Sequence, residues 1–349
     1  MKRGFTLLSV LALATGLLAA AAAAQGPSSA PGLARALVAQ ERATNALLER
    51  PGVVGTAVTV VDGRPAVAVL TARTGVTGLP RSLDGVDVVV RVTGPLNALH
   101  HRPGHGGGGP PGGGGGGGGG GGTDPTARFD RPVPIGVSTG NEGECSSGTI
   151  GARVRSGTTV YALSNNHVYA LENRAPIGSR VLQPGRVDTG CTIDPANELG
   201  RLSAFVPITF STSASNRVDA AIAVSDTARL GNATPSNGYG TPQSATVNAA
   251  VGQSVQKYGR STSLTQGTVT MVNATVNVGY GAGTARFVGQ VIVESNTTFI
   301  RAGDSGSLLV TSNRNPVGLL FAGSQTGRLA VANRIQDVLQ SFGVSVDGS

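Results

Sequence analysis

The alternation of apolar and polar positions divides the chain into two unlike parts. Between Pro31 and Arg50, the residues Leu33, Leu37, Thr44, Leu47 and Leu48 recur at helical spacing, with Pro31 suited to a first turn and Pro51 closing the run. This predicts one amphipathic helix. Val53 to Val61 and Ala66 to Ala72 flank Asp62-Gly63, the pattern of two strands joined by a hairpin turn, and Val86 to Val92 reads as a further strand. Residues 30–97 are therefore expected to form a small α/β domain that can bury little surface by itself. From about residue 126 the pattern changes to short β-rich runs separated by Gly, Asn and Ser: Gly148–Val154, Thr158–Leu163, Leu202–Ile208, Val218–Val224, Gly267–Val272, Phe287–Val293, Ser307–Val310, Val317–Phe321 and Arg328–Ala332. So many short strands make residues 126–349 an all-β domain, a sandwich or a pair of barrels. Ile335, Val338, Leu339 and Phe342 recur at helical spacing and predict a terminal helix against the sheets.

Composition adds the segments that do not pack. Residues 98–125 hold His101-Arg102-Pro103-Gly104-His105, Pro110-Pro111 and unbroken glycine from Gly112 to Gly122. Such a tract has no side chains to bury and maximal backbone entropy, so a flexible, cleavable linker is expected. His100, His101 and His105 have no fixed geometry there, and no metal site is expected. Lys2-Arg3, an apolar stretch from Phe5 to Ala20 and Ala22-Ala23-Ala24 before Gln25 form a signal peptide over residues 1–24, which implies a secreted or periplasmic protein. Export permits a disulfide, and the two cysteines, Cys145 and Cys191, allow one pairing. The formal charge is +8, but the arginines are scattered singly. No nucleic acid and no membrane partner is expected, and the chain is taken as a monomer.

Acyl transfer by serine needs a hydroxyl, a base, a carboxylate to orient that base, and backbone donors for the oxyanion. His167 is the only histidine outside the linker region, and it follows the strand Thr158–Leu163 closely. Asp219 sits in Arg217-Val218-Asp219-Ala220-Ala221-Ile222, where a buried carboxylate is costly unless paired. It is preferred to Asp188, Asp194 and Asp226, which lie in more polar or turn-like settings. Ser305 lies in Gly303-Asp304-Ser305-Gly306-Ser307, a glycine-flanked turn able to present the hydroxyl and to point the N–H groups of Gly303 and Ser305 at an oxyanion.

The order His167, Asp219, Ser305 and the Gly303-Asp304-Ser305-Gly306 motif resemble the chymotrypsin (trypsin-like) serine peptidase family, especially its secreted bacterial branch typified by α-lytic protease. The resemblance spans roughly residues 132–344. It implies two six-stranded antiparallel β-barrels with the active site between them, and a serine endopeptidase acting on protein or peptide substrates without a cofactor. Gly259-Arg260-Ser261-Thr262-Ser263 resembles the α-lytic segment whose arginine pairs with the aspartate before the nucleophile, which implies that Arg260 holds Asp304. By the same resemblance Phe321, Ala322, Gly323 and Ser324 line the substrate cleft, and the N-terminal domain is a zymogen pro-region, with a permanent targeting or binding domain as the alternative. No acid stands just before the motif, where Thr298, Phe299 and Ile300 lie, so an apolar or small residue is expected at the cleaved position. The sequence departs from the family at Ser164-Asn165-Asn166 before the histidine, and Cys191 does not match its usual histidine-loop bridge. A catalytically silent binding module on the same fold and a secreted esterase are the rival readings. Against the esterase, no Gly-x-Ser-x-Gly elbow appears and the order of the three residues is reversed.

Overall fold

The computed structural model describes residues 32–99 and 123–349; the expected signal peptide and most of the expected linker lie outside the described residues. The N-terminal unit holds α1 (Leu33–Leu48), β1 (Val53–Val61), β2 (Arg64–Thr71), β3 (Ser82–Leu83), β4 (Val86–Val92) and β5 (Leu96–Ala98). The β1–β2 turn is built as the sequence requires, with Asp62 and Gly63 both at positive φ (50° and 76°), the geometry that matches hairpin twist. Ala36, Ala39 and Leu47 of α1 bury against Val58, Val67, Val69 and Val86 of the sheet.

The first β-rich unit contains β6 (Ser138–Asn141), β7 (Gly148–Thr149), β8 (Ala152–Ser156), β9 (Thr159–Ser164), the short helix α2 (Asn166–Tyr169), β10 (Arg180–Leu182), β11 (Glu198–Phe205) and β12 (Ala221–Ser225). The second contains β13 (Ser254–Gly259), β14 (Ser263–Tyr280), β15 (Gly283–Glu294), β16 (Leu308–Thr311), β17 (Pro316–Ser324) and β18 (Leu329–Arg334), followed by α3 (Ile335–Phe342) and β19 (Ser345–Val346). The first sheet runs β19-β8-β9-β12-β11-β10-β6-β7. In the second, β13 pairs with both β14 and β16, so β13 to β18 close on themselves. This is the expected all-β fold of two barrel-like units with a C-terminal helix, each unit filled by its own apolar cluster. Leu163, Ala220, Leu308, Leu319, Ile335 and Val338 form a further cluster that joins the two units through α3. Cys145 and Cys191 are bonded, in the one pairing open to them.

Two strands are far longer than their sequence suggests. β14 continues from Val272 to Tyr280 and β15 begins at Gly283 rather than Phe287, through a stretch rich in Asn, Gly and Ala that has weak strand preference. The N-terminal unit holds this extension. β1 pairs antiparallel with β14 (Gly55 opposite Val276, Thr56 opposite Thr275), carrying the N-terminal sheet onto the β14–β15 hairpin. A Cβ on Gly55 would stand 2.8 Å from the Thr275 carbonyl oxygen, so only glycine permits this approach. Asn273 Nδ2 donates to Gln40 Oε1 at 2.9 Å and Thr59 Oγ1 to the Thr270 carbonyl at 2.8 Å, fixing the register of the junction.

Candidate active site

β9 ends at Ser164, and the chain turns at once into α2, which carries His167 into the space between the barrels. His167 Nδ1 lies 2.5 Å from Asp219 Oδ2, and the His167 backbone N–H donates to Asp219 Oδ1 at 3.2 Å; both side chains are fully buried. Asp219 itself is two residues upstream of β12, not within the strand as the apolar run suggested. Its backbone is pinned from both sides. Asn165 Nδ2 donates to the Asp219 carbonyl at 2.7 Å, and Asp219 N–H donates to Asn333 Oδ1 at 3.0 Å. Ser164 Oγ donates to the Thr149 carbonyl at 2.8 Å, and Asn166 Nδ2 to the Val206 carbonyl at 2.7 Å. The polar residues before the histidine, a departure from the family pattern, are thus the ties that seat it.

Ser305 is buried in the turn before β16, and its hydroxyl donates to the Phe321 carbonyl at 3.3 Å. Gly303 (φ 97°) and Gly306 (φ 92°) adopt left-handed backbone, and a Cβ on Gly306 would lie 2.3 Å from the Thr149 carbonyl oxygen. β7 connects the serine turn to α2. Thr149 N–H donates to the Ser305 carbonyl at 2.8 Å, and a Cβ on Gly148 would meet both Val168 and the Ser305 carbonyl, at 2.6 Å and 3.1 Å.

The expected Arg260–Asp304 pair is not formed. Arg260 Nε donates to Asp188 Oδ2 at 2.9 Å and Nη2 reaches Asp188 Oδ1, while Ser138 Oγ supports the same carboxylate. The β13–β14 turn explains the difference. Its backbone fills the Asp304 carboxylate with the N–H groups of Ser261 (2.9 Å) and Thr262 (3.2 Å), joined by Thr262 Oγ1 (2.8 Å) and Arg301 N–H (2.8 Å). The neighbouring cation is Lys257, fully buried with Nζ 3.6 Å from Asp304 Oδ2. Burial pushes the Lys257 ammonium below its usual range, against the opposing pull of the Asp304 charge. Arg260 instead props the turn from beneath, since a Cβ on Gly303 would lie 2.9 Å from its Cδ. Lys257→Met, which leaves Asp304 charged and buried, is expected to cost about 3 kcal/mol, or roughly 6–12 °C in Tm, by thermal denaturation.

The edge of β17 beside the serine turn is covered by the chain itself. β5 lies between two strands, antiparallel to β17 (Ala98 opposite Ala322, Asn97 opposite Gly323, Leu96 opposite Ser324) and parallel to β14 (Leu96 opposite Val278, Asn97 opposite Gly279). Ordered chain thus runs through Ala98 and Leu99, two residues beyond the expected domain boundary. Leu99 N–H donates to the Phe321 carbonyl at 3.2 Å, and the Leu99 carbonyl accepts from Gly303 N–H at 2.8 Å. Phe321, Ala322, Gly323 and Ser324, expected to line the cleft, are the residues this segment pairs with.

Sequence reasoning missed Tyr280. Its hydroxyl donates to Asp219 Oδ2 at 2.9 Å, its ring meets the His167 ring edge-on at 5.9 Å, and it stacks towards Phe287, which packs on Phe321. Burial, then the Asp219 charge, push its phenol well above the ordinary value, so it remains a donor. Glu172 accepts from the N–H groups of Gly281 and Ala282 at 3.1 Å and 2.8 Å, anchoring the same hairpin tip to the first barrel. A tyrosine among the glycines of Gly279-Tyr280-Gly281 was the available signal, but nothing local tied it to residue 219. Tyr280→Phe removes one donor to a buried carboxylate and is expected to cost about 1.5 kcal/mol of stability, or roughly 3–6 °C in Tm, by thermal denaturation.

Two barrel-like β units meet at a buried His–Asp pair, with the glycine-flanked serine turn hydrogen-bonded to β17 beside it. The family described as the Nal1 C-terminal domain matches residues 204–347, which include Asp219 and Ser305 but not His167. No curated protein matches the chain. Solved structures similar to it include a glutamic acid specific serine protease, with 24% identity covering 61% of this chain and 100% of that one at a TM-score of 0.44. Protease A of Thermobifida fusca has 21% identity, covering 62% and 99%, at a TM-score of 0.45. The α-lytic protease homologue N4 has 21% identity, covering 61% and 98%, at a TM-score of 0.41.

Proposed function

We propose that this chain is a secreted serine endopeptidase with His167, Asp219 and Ser305 as its catalytic residues. The observation that carries the reading is the buried His167–Asp219 pair at 2.5 Å beside a serine turn whose Gly303 N–H holds a peptide carbonyl at 2.8 Å. In the reaction, Ser305 Oγ attacks a peptide carbonyl carbon as His167 Nε2 takes its proton. Asp219 accepts from Nδ1–H, fixing the tautomer and stabilising the imidazolium. The N–H groups of Gly303 and Ser305 hold the oxyanion. His167 then gives the proton to the leaving amine; water, deprotonated by the same imidazole, cleaves the ester and restores the serine. Side chains and backbone supply every group this acyl transfer needs, so no cofactor enters the mechanism.

The substrate strand adds to β17 through the main chain of Phe321 to Ser324, as β5 does, which favours extended peptides over small esters. The N-terminal unit is a pro-region: it builds out the β14–β15 hairpin, and its tail lies where a substrate would lie. The signal-like first 24 residues and the Cys145–Cys191 bond support export to the extracellular space or periplasm. Comparing a peptide with an ester of the same acyl group tests the substrate class. A kcat/KM for the ester alone, with no peptide cleavage, would replace endopeptidase with esterase.

A further inference from the structure

The position of the tail defines more than occupancy, because a peptide backbone laid along β17 has a register. Counting from Ser324, each residue of the segment Leu96-Asn97-Ala98 meets the next residue of the strand, and Leu99 N–H reaches Phe321. Phe321 O is also the acceptor of the Ser305 hydroxyl, so the Leu99 amide and the nucleophile converge on one oxygen. The next polar atom along the chain, the Leu99 carbonyl oxygen, is the one on Gly303 N–H. Among residues 96–99, Leu99 alone has its carbonyl at the serine turn.

The side chains are sorted in the same way. Leu99 is 8% exposed and packs in a cluster of the second barrel with Phe299, Ile300 and Ala330, while Leu96 buries in a different cluster beside Tyr280 and Phe287. Burial of both leucines favours the docked tail by removing apolar surface from water. Ile300 fills the space beside Gly323, where a Cβ would lie 2.2 Å from its Cδ1, and the side chains that Leu99 packs with in this cluster are aliphatic or aromatic. The slot suits an aliphatic side chain and penalises a carboxylate or an ammonium, either of which would be buried unpaired. Gly279 makes room for Asn97, whose Oδ1 stands 2.6 Å from where a Cβ would be.

We infer that the chain is its own first substrate, cut between Leu99 and His100, and that the released enzyme selects peptides with leucine or a similar aliphatic residue on the acyl side of the bond. The inference rests on the serine-peptidase reading above. Ser305 Oγ adds to the Leu99 carbonyl carbon, the bond to the His100 nitrogen breaks, and the new amine keeps the proton relayed by His167. Water then hydrolyses the Leu99 ester, leaving a carboxylate on residue 99 and a free hydroxyl on Ser305. The cut frees the enzyme from its tether, while the β1–β14 pairing keeps the N-terminal fragment docked until it dissociates or is degraded.

The test is N-terminal sequencing and mass analysis of the full chain after expression, with Ser305→Ala and Leu99→Asp beside it, and a fluorophosphonate probe on each. A new terminus at His100 in the wild type, absent in Ser305→Ala and slowed at least about a hundredfold in Leu99→Asp, is the expected result. Because Leu99→Asp also weakens docking, the released wild-type enzyme is profiled on peptides of the form Leu-Asn-Ala-X-His. Leucine is expected to exceed glutamate and lysine at X by at least about a hundredfold in kcat/KM. A wild type that takes the probe but is cut elsewhere, or shows no aliphatic preference, overturns the inference and leaves the peptidase standing. A wild type that neither takes the probe nor is cut overturns both.

Discussion

Ser305→Ala is expected to lower kcat for peptide hydrolysis by about a millionfold, to background for any practical assay. No other hydroxyl can replace it. Thr149 Oγ1 donates to the Gly303 carbonyl, Ser164 Oγ to the Thr149 carbonyl and Ser307 Oγ to the Asp304 carbonyl, so the hydroxyls around the turn are committed to holding it. The same bonds predict that the variant folds normally, because the Ser305 hydroxyl contributes only one 3.3 Å contact while the turn is held by Thr149, Ser261 and Thr262. An unchanged Tm with activity lost is the outcome that assigns the hydroxyl to chemistry. Retained hydrolysis would remove Ser305 from the mechanism.

Asp219→Asn is expected to cost about ten thousandfold in kcat. The carboxylate accepts on both oxygens: Oδ2 takes His167 Nδ1–H and the Tyr280 hydroxyl, and Oδ1 takes the His167 backbone N–H. An amide can satisfy only one side. If its oxygen faces His167 Nδ1–H, its NH2 opposes the His167 backbone donor; if it flips, the imidazole must turn to the tautomer that cannot accept a proton from Ser305. The loss is therefore in kcat, with KM nearly constant, and a double variant with Tyr280→Phe should lose less than the product of the two separate effects because both act on one carboxylate. Stopped-flow or steady-state peptide hydrolysis reads both values. A loss below about tenfold for Asp219→Asn would mean that the histidine is oriented by other groups.

Much of the architecture was legible because it follows from local chemistry. Asp62-Gly63 specified its hairpin, Ile335 to Phe342 its helix, and the apolar runs most of the strands. His167, Asp219 and Ser305 were singled out for a different reason: the β-rich part of the chain offers one histidine, a carboxylate within the apolar run before β12 and a glycine-flanked serine motif. Burial brings the histidine and the carboxylate together and sets the serine turn against the β7 residues that touch α2. What was not legible depends on contacts distant in sequence. The outer half of β14 is a strand because β1, more than 200 residues earlier, pairs with it. Tyr280 meets Asp219 across 61 positions, and Arg260 meets Asp188 across 72. The Arg260 expectation failed because a family pattern gives residue types without saying which of several donors reaches the carboxylate first; here the backbone of Ser261 and Thr262 does.

The hairpin gives the N-terminal unit two holds on the site. Its tail lies in the cleft, and its edge strand supports the arm whose tip carries Tyr280 to Asp219. A chain lacking residues 32–99 would therefore lose both the segment paired to β17 and the strand paired to β14. β14 is also paired to β15 along Val276 to Tyr280, so the arm has a partner that does not depend on the N-terminal unit.

The most direct test of a Ser305-centred peptidase is to treat the released protein with a fluorophosphonate and locate the adduct by peptide mass mapping. A single adduct on the peptide containing Arg301-Ala302-Gly303-Asp304-Ser305-Gly306-Ser307, abolished in Ser305→Ala and strongly slowed in Asp219→Asn, is the predicted result. An adduct on another residue, or none on a folded protein freed of its tail, would contradict it.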